Sequence, residues 1–216
     1  MKKFTKQEKR RITEDWVKYY PSMGIYKNMW IMNIIGPIAV GVSLEMGSNQ
    51  DYYTPTAHIH DLTDQDDFIS LVGAITYKNK MISKRAEDGK AFELAENLRE
   101  RALIPLEGSM QIEHLAEILI KYYNVCDFND KGYILKMYLN VFAWSGDRAK
   151  SQKALSFVLK KLKLLYLKRW FDDREEYSLW KKSFNDVANS PEMVKTIVEK
   201  NIERLDLLNL PKRKLI

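Results

Sequence analysis

At 216 residues, with 45% hydrophobic and 30% charged residues, the chain can bury a core and is too apolar to be disordered. A single cysteine, Cys126, excludes an internal disulfide and a Cys-rich zinc ribbon, and fits a reducing compartment. The net charge of +6 favours acidic partners modestly, through association rate, and by itself identifies no ligand.

The basic N-terminus keeps its charges through Asp15 and is followed by no apolar run, so it does not read as a secretory signal. No window reaches the roughly 18 consecutive apolar residues that span a bilayer. A soluble, cytoplasmic protein without membrane contact is expected. Residues 4–20 read as a charged helix with Ile12, Trp16, Tyr19 and Tyr20 as its apolar contacts, stopped by Pro21.

Alternation then begins. Along residues 38–46, Ile38, Val40, Val42, Leu44 and Met46 point one way, and Ala39, Gly41, Ser43 and Glu45 the other. Residues 47–51 form a turn by composition, and a strand from 53 to 60 follows. Paired as a hairpin, the strands set Val42 opposite Ala57, Val40 opposite Ile59, Gly41 opposite His58, Ala39 opposite His60 and Ser43 opposite Thr56. A turn at Gly36-Pro37 makes residues 29–35 a third strand, adding Trp30, Met32 and Ile34 to the face of Gly41.

From Thr63 the pattern reads as helical. Thr63 is placed to cap a helix with Asp64, Asp66 and Asp67 in its first turn and Phe68, Leu71, Val72 and Ile75 along its apolar face. The polar connection at 79–87 is the best candidate boundary between two regions: 1–79, with the first helix, the sheet and the following helix, and 88–216, a helical bundle-like region. These are separate lobes or one packed domain. Further helices are expected at about 88–103, 109–123, 130–144, 147–171, 173–188 and 191–208. Ser109 and Ser190 are the expected caps of two of them, and Gly146 punctuates a third. The fold class is therefore α+β, mostly α-helical with a small N-terminal antiparallel sheet of two or three strands.

Two constellations are candidates for function. On a strand, His58 and His60 project from one face, so with Trp30 and Gly41 they outline a candidate pocket for a metal ion or an acidic ligand. A metal would need a third ligand from His114, Glu45 or Asp61. The same pattern describes histidines packed beneath a helix, and no cofactor or metal is expected. Asp61, Asp64, Asp66 and Asp67 invite a metal or nuclease reading, yet three of them sit where a helix N-terminus wants negative charge, which explains them without chemistry.

The second constellation is the helix at 147–171, which carries eight basic residues from Arg148 to Arg169 and no acidic one. Lys150, Lys153, Lys160, Lys161 and Lys168 share one arc, with Phe157 and Leu164 among them, while Leu155, Val158, Leu162 and Leu165 face the core. Such a stripe suits an acidic protein partner, a phosphate backbone, or plain solvent. Tyr19-Tyr20, Tyr52-Tyr53 and Tyr122-Tyr123 each place one ring away from the core, where tyrosine is a common interface anchor.

Dinucleotide-binding, P-loop, serine-hydrolase, zinc-protease and kinase motifs do not occur. The leading expectation is a non-catalytic interaction or accessory subunit of a cytoplasmic multiprotein complex, with a bacterial immunity-like or defence system as one setting. The alternatives are a nucleic-acid-binding protein using residues 147–171, and a metal-dependent hydrolase centred on His58 and His60.

Overall fold

The computed structural model describes residues 3–48, 50–70, 72–76, 82–83 and 87–216. Helix α1, Lys6–Tyr19, is opened by a Thr5–Glu8 capping box, in which each residue's side chain bonds the other's backbone amide. The sheet follows: β1 (Gly24–Lys27), β2 (Trp30–Ile35), β3 (Ile38–Met46), β4 (Tyr52–Asp61) and β5 (Val72–Thr76) lie antiparallel in that spatial order. Short β6 (Ile82–Ser83) pairs with the start of β4, and β7 (Lys212–Arg213) runs parallel beside the end of β2.

The hairpin register is the one that alternation requires: Val42 pairs with Ala57, Val40 with Ile59, Gly41 with His58, Ala39 with His60 and Ser43 with Thr56. Trp30, Met32 and Ile34 pair with Ser43, Gly41 and Ala39, on the same face.

The sheet is larger than expected, and the helix expected from Thr63 is absent. Its place holds an irregular segment and β5, in which Val72, Ile75 and Thr76 pair with Ile59, Ala57 and Thr56. The free edge of β4 offers unpaired backbone groups, and a run containing Val72, Ile75 and Thr76 suits a strand as well as a helix. Of the connection expected at 79–87, residues 79–81 and 84–86 lie outside the described residues, as does Leu71.

Helices α2 (Glu87–Arg101), α3 (Ile112–Val125), α4 (Lys131–Ala143), α5 (Arg148–Leu167), α6 (Arg174–Asn189) and α7 (Glu192–Arg204) follow the expected segments, with shifted ends. Ser109 does not cap α3: its cap residue is Gln111, and the Ile112 amide donates to the carbonyl of Ile216 at 2.9 Å, so the C-terminal tail satisfies it. Pro191, rather than Ser190, is the cap residue of α7. Helix α5 ends at Leu167 because Arg169 turns left-handed (φ 58°), sending Trp170 back onto Gly132, where its indole N–H donates to Phe128 O at 2.8 Å.

Both sheet faces are buried. Ile31, Val40, Val42, Ala57 and Ile59 join Trp16 of α1, Tyr20 just past its end and Leu94 of α2 in a core that continues through Leu119, Leu139, Val158 and Phe184. On the other face Met32, Ile34 and Ala39 pack with Val194, Val198 and Ile202 of α7 and with Leu205, Leu207 and Leu210.

Between β4 and β5 the chain is clasped by two helices. Asn201 of α7 donates from Nδ2 to the carbonyls of Leu62 and Asp64, at 2.8 and 2.9 Å, and Arg204 donates to Asp64 O, Asp66 O and the Asp67 carboxylate. From α4, Asn140 donates to Asp61 and Thr63, and Lys136 pairs with Asp64. The aspartates thus serve cross-links between elements rather than a helix N-terminus. Asn201→Ala should cost about 1–3 kcal/mol, because it strips donors from buried carbonyls; a denaturant midpoint equal to wild type would show the clasp to be dispensable.

Candidate functional site

The register brings Trp30, Gly41, His58 and His60 onto one face, as the sequence implies. Gly41 leaves no open space beside His58, because the imidazole itself fills it: a Cβ at position 41 would lie 2.9 Å from Cε1 and Nε2 of His58. The Trp30 ring packs against that imidazole with centroids 5.1 Å apart, and Lys27 Nζ lies 4.3 Å over the Trp30 ring.

His58 and His60 are 2% and 0% exposed, which places them inside the sheet–α7 layer. His60 Nδ1 accepts the Ser70 amide at 3.1 Å and sits 2.9 Å from its hydroxyl, so the ring proton belongs on Nε2. That Nε2 and both nitrogens of His58 have no hydrogen-bond partner among the described residues. Burial, reinforced by His60 and Lys27, pulls the His58 pKa down to about 3; burial pulls His60 down to about 4, against the attraction of Asp64 and Asp66. Both rings are therefore neutral at ordinary pH. His114 is exposed on α3, and no group of three or more metal-ligating side chains is assembled among the described residues.

Asp61, on the opposite face from the histidines, is buried at the end of β4. Burial raises its pKa, while Lys136 at 3.9 Å and the amide and hydroxyl of Thr63 favour its charge. Burial works against the charge of Lys136 as well, yet Asp61 and Asp64 outweigh it and hold the ammonium above its usual pKa. This is an ion-pair network tying β4 to α4.

The basic stripe occupies a different environment. Lys150, Lys153, Lys160 and Lys168 are exposed on α5, and Leu164 is 46% exposed. Phe157 is half-buried rather than open, because it packs on Tyr138 of α4 with ring centroids 5.3 Å apart. Lys161 is half-buried, its ammonium 5.5 Å from the rings of Tyr123 and Phe157. Lys150 pairs with Glu113 of α3 at 2.9 Å.

Next to Phe157 lie two adjoining hollows, of about 430 and 440 Å³. Tyr138 and Phe142 of α4 contribute to both; Ala116 and Ile120 of α3 line one, and Ala154, Lys150 and Lys153 of α5 line the other. The α4 aromatics were not legible as a surface. Tyr138 and Phe142, four residues apart in an apolar helix, look like core, and only the packing of α3 and α5 on either side of α4 reveals them as a floor.

No helix among the described residues is long and apolar enough to cross a membrane. Comparison with protein-family models, with curated proteins and with solved structures finds no match for the chain.

The two histidines make stability pH-dependent. Above pH 6.5 they cost nothing; as pH falls from about 6.5 towards 4, the unfolded chain takes up protons that the folded one refuses, removing up to about 1.4 kcal/mol per pH unit for each ring. In denaturant titrations from pH 7 to 4.5, His58→Asn should flatten this decline relative to wild type. An unchanged slope would contradict the buried, neutral assignment.

Proposed function

We infer that the protein is an interaction subunit that holds a partner protein on the face formed by α3, α4 and α5. One observation carries this reading: Lys150, Lys153 and Phe157 of α5 border an open trough whose floor is aromatic. Tyrosine and phenylalanine seated in a recess supply large contact area at low entropic cost, as interface anchors do, and a charged rim sets specificity and encounter rate. A complex in which this chain serves as accessory subunit is the setting that fits, and a defence or immunity system is one such context.

The same stripe suits nucleic acid less well. Lys161 lies over two rings, and Glu113 and Glu117 stand on the facing wall, where they would repel phosphates.

Tagged protein drawn from its native lysate, with and without nuclease, tests both. A stoichiometric protein that survives nuclease is expected, and Lys153→Glu with Lys160→Glu should lower its retention about tenfold, as loss of charge complementarity at an interface does. Unchanged retention would remove the stripe from the interface; loss of the partner to nuclease would favour nucleic acid.

A further inference from the structure

We propose that the occupant of the trough is a short amphipathic helix of the partner, with acidic residues along the flank that meets α5 and basic residues along the flank that meets α3. This rests on the protein-binding reading above and adds the shape and charge pattern of the bound element.

The trough is bounded. Near the starts of α3 and α5, Glu113 and Lys150 meet at 2.9 Å; farther along, Lys161 of α5 lies 5.5 Å from the ring of Tyr123 of α3. Both crossings join like ends, so α3 and α5 run parallel, with α4 beneath them. Tyr123 is ten residues beyond Glu113, which at about 1.5 Å per residue makes the trough roughly 15 Å long. That length receives two to three turns of helix, displayed through residues at i, i+3 or i+4, and i+7. A strand would need an open sheet edge to pair with, whereas the backbone of these walls is hydrogen-bonded within helices.

The walls differ in sign. Glu113 and Glu117 line the α3 side, with Lys121 farther along; Lys150 and Lys153 line the α5 side, with no acidic residue among them. A bound helix with carboxylates towards α5 and ammonium or guanidinium groups towards α3 meets complementary charge on both flanks. Turning a given helix end for end would exchange its flanks, so for any one partner the walls select a single direction. Lys150 and Glu113 are each about half exposed, at 48% and 57% of their side-chain surface, so exchanging their mutual pair for a partner's charges costs little.

The test uses random peptides displayed on phage, long enough for about four helical turns, selected on the full-length protein and counter-selected on two folded variants, Phe157→Glu and Lys153→Glu. Lys153 is exposed, so its variant keeps the test decisive should Phe157→Glu disturb folding. Enrichment of helical apolar spacing with Asp or Glu on one flank and Lys or Arg on the other is expected. A synthesised member should lose about tenfold in affinity for Lys153→Glu and recover when its facing carboxylate is changed to lysine.

Enriched peptides without helical spacing, peptides with basic residues facing α5, equal binding to wild type and Phe157→Glu, or no enrichment would each overturn the proposal. If a lysate partner depends on Lys153 and Phe157 while the peptides show no such flanks, this inference falls and the protein-binding reading stands. Concentration-dependent self-association abolished by Phe157→Glu would make the occupant a second copy of the chain and overturn the amphipathic-helix assignment.

Discussion

The sheet has two faces that both need cover, and the rest of the fold is arranged around that need. Every residue of β3 from Ile38 to Leu44 is buried, although strict alternation places Ala39, Gly41 and Ser43 opposite Val40 and Val42. One face is covered early in the chain, by α1 and α2. The other waits for α7 and residues 205–210, which lie more than a hundred residues beyond β4. The tail then adds β7 to β2, and Arg213 donates to the carbonyls of Pro105, Glu107 and Gly108. Segments near 34 and 212 are thereby joined in one sheet, a contact of high sequence separation added to a run of local hairpins.

This return of the chain decides what the histidines do. Side chains that look on a bare hairpin like a pair of ligands become buried neutral rings, His58 against Trp30 and Gly41 and His60 against Ser70. A general base must reach the proton it takes, and rings sealed in this layer lack that access. The charged groups near the end of β4 are spent in a similar way: Asp61 and Asp64 meet Lys136, Asp67 meets Arg204, and Asn140 and Asn201 satisfy the oxygens between them. Pairing of this kind is what makes burial of charge tolerable.

Much of this was legible in the sequence wherever a local rule governs. Period-two alternation, with Gly36-Pro37 and residues 47–51 as turns, was enough to reach the β3–β4 register residue by residue and the face on which Trp30, Met32 and Ile34 of β2 lie, because a slip by one position would invert both faces. The tyrosine pairs follow their pattern only in part: Tyr20, Tyr53 and Tyr123 are buried, whereas Tyr19, Tyr52 and Tyr122 are half-buried, with Tyr19 and Tyr122 still packed against the core. Distant partners set the rest. Residues 72–76 follow the edge of β4 rather than their own helical spacing, α3 is capped by the Ile216 carbonyl, and α7 closes the histidine face. None of these partners lies within a window that periodicity can read. The trough was half legible: its α5 wall shows as a basic stripe, while its floor, Tyr138 and Phe142, has the pattern of core.

The division into a sealed sheet and an open helical trough is tested most directly by chemical labelling of the chain's three histidines. Native protein is treated briefly with diethyl pyrocarbonate at neutral pH, and modification is read at each site by mass spectrometry. His114, exposed on α3, should be modified, while His58 and His60 should stay unmodified until the protein is denatured. Modification of His58 or His60 in the native state at the rate of His114 would contradict the account and return the sheet face to consideration as a site open to solvent.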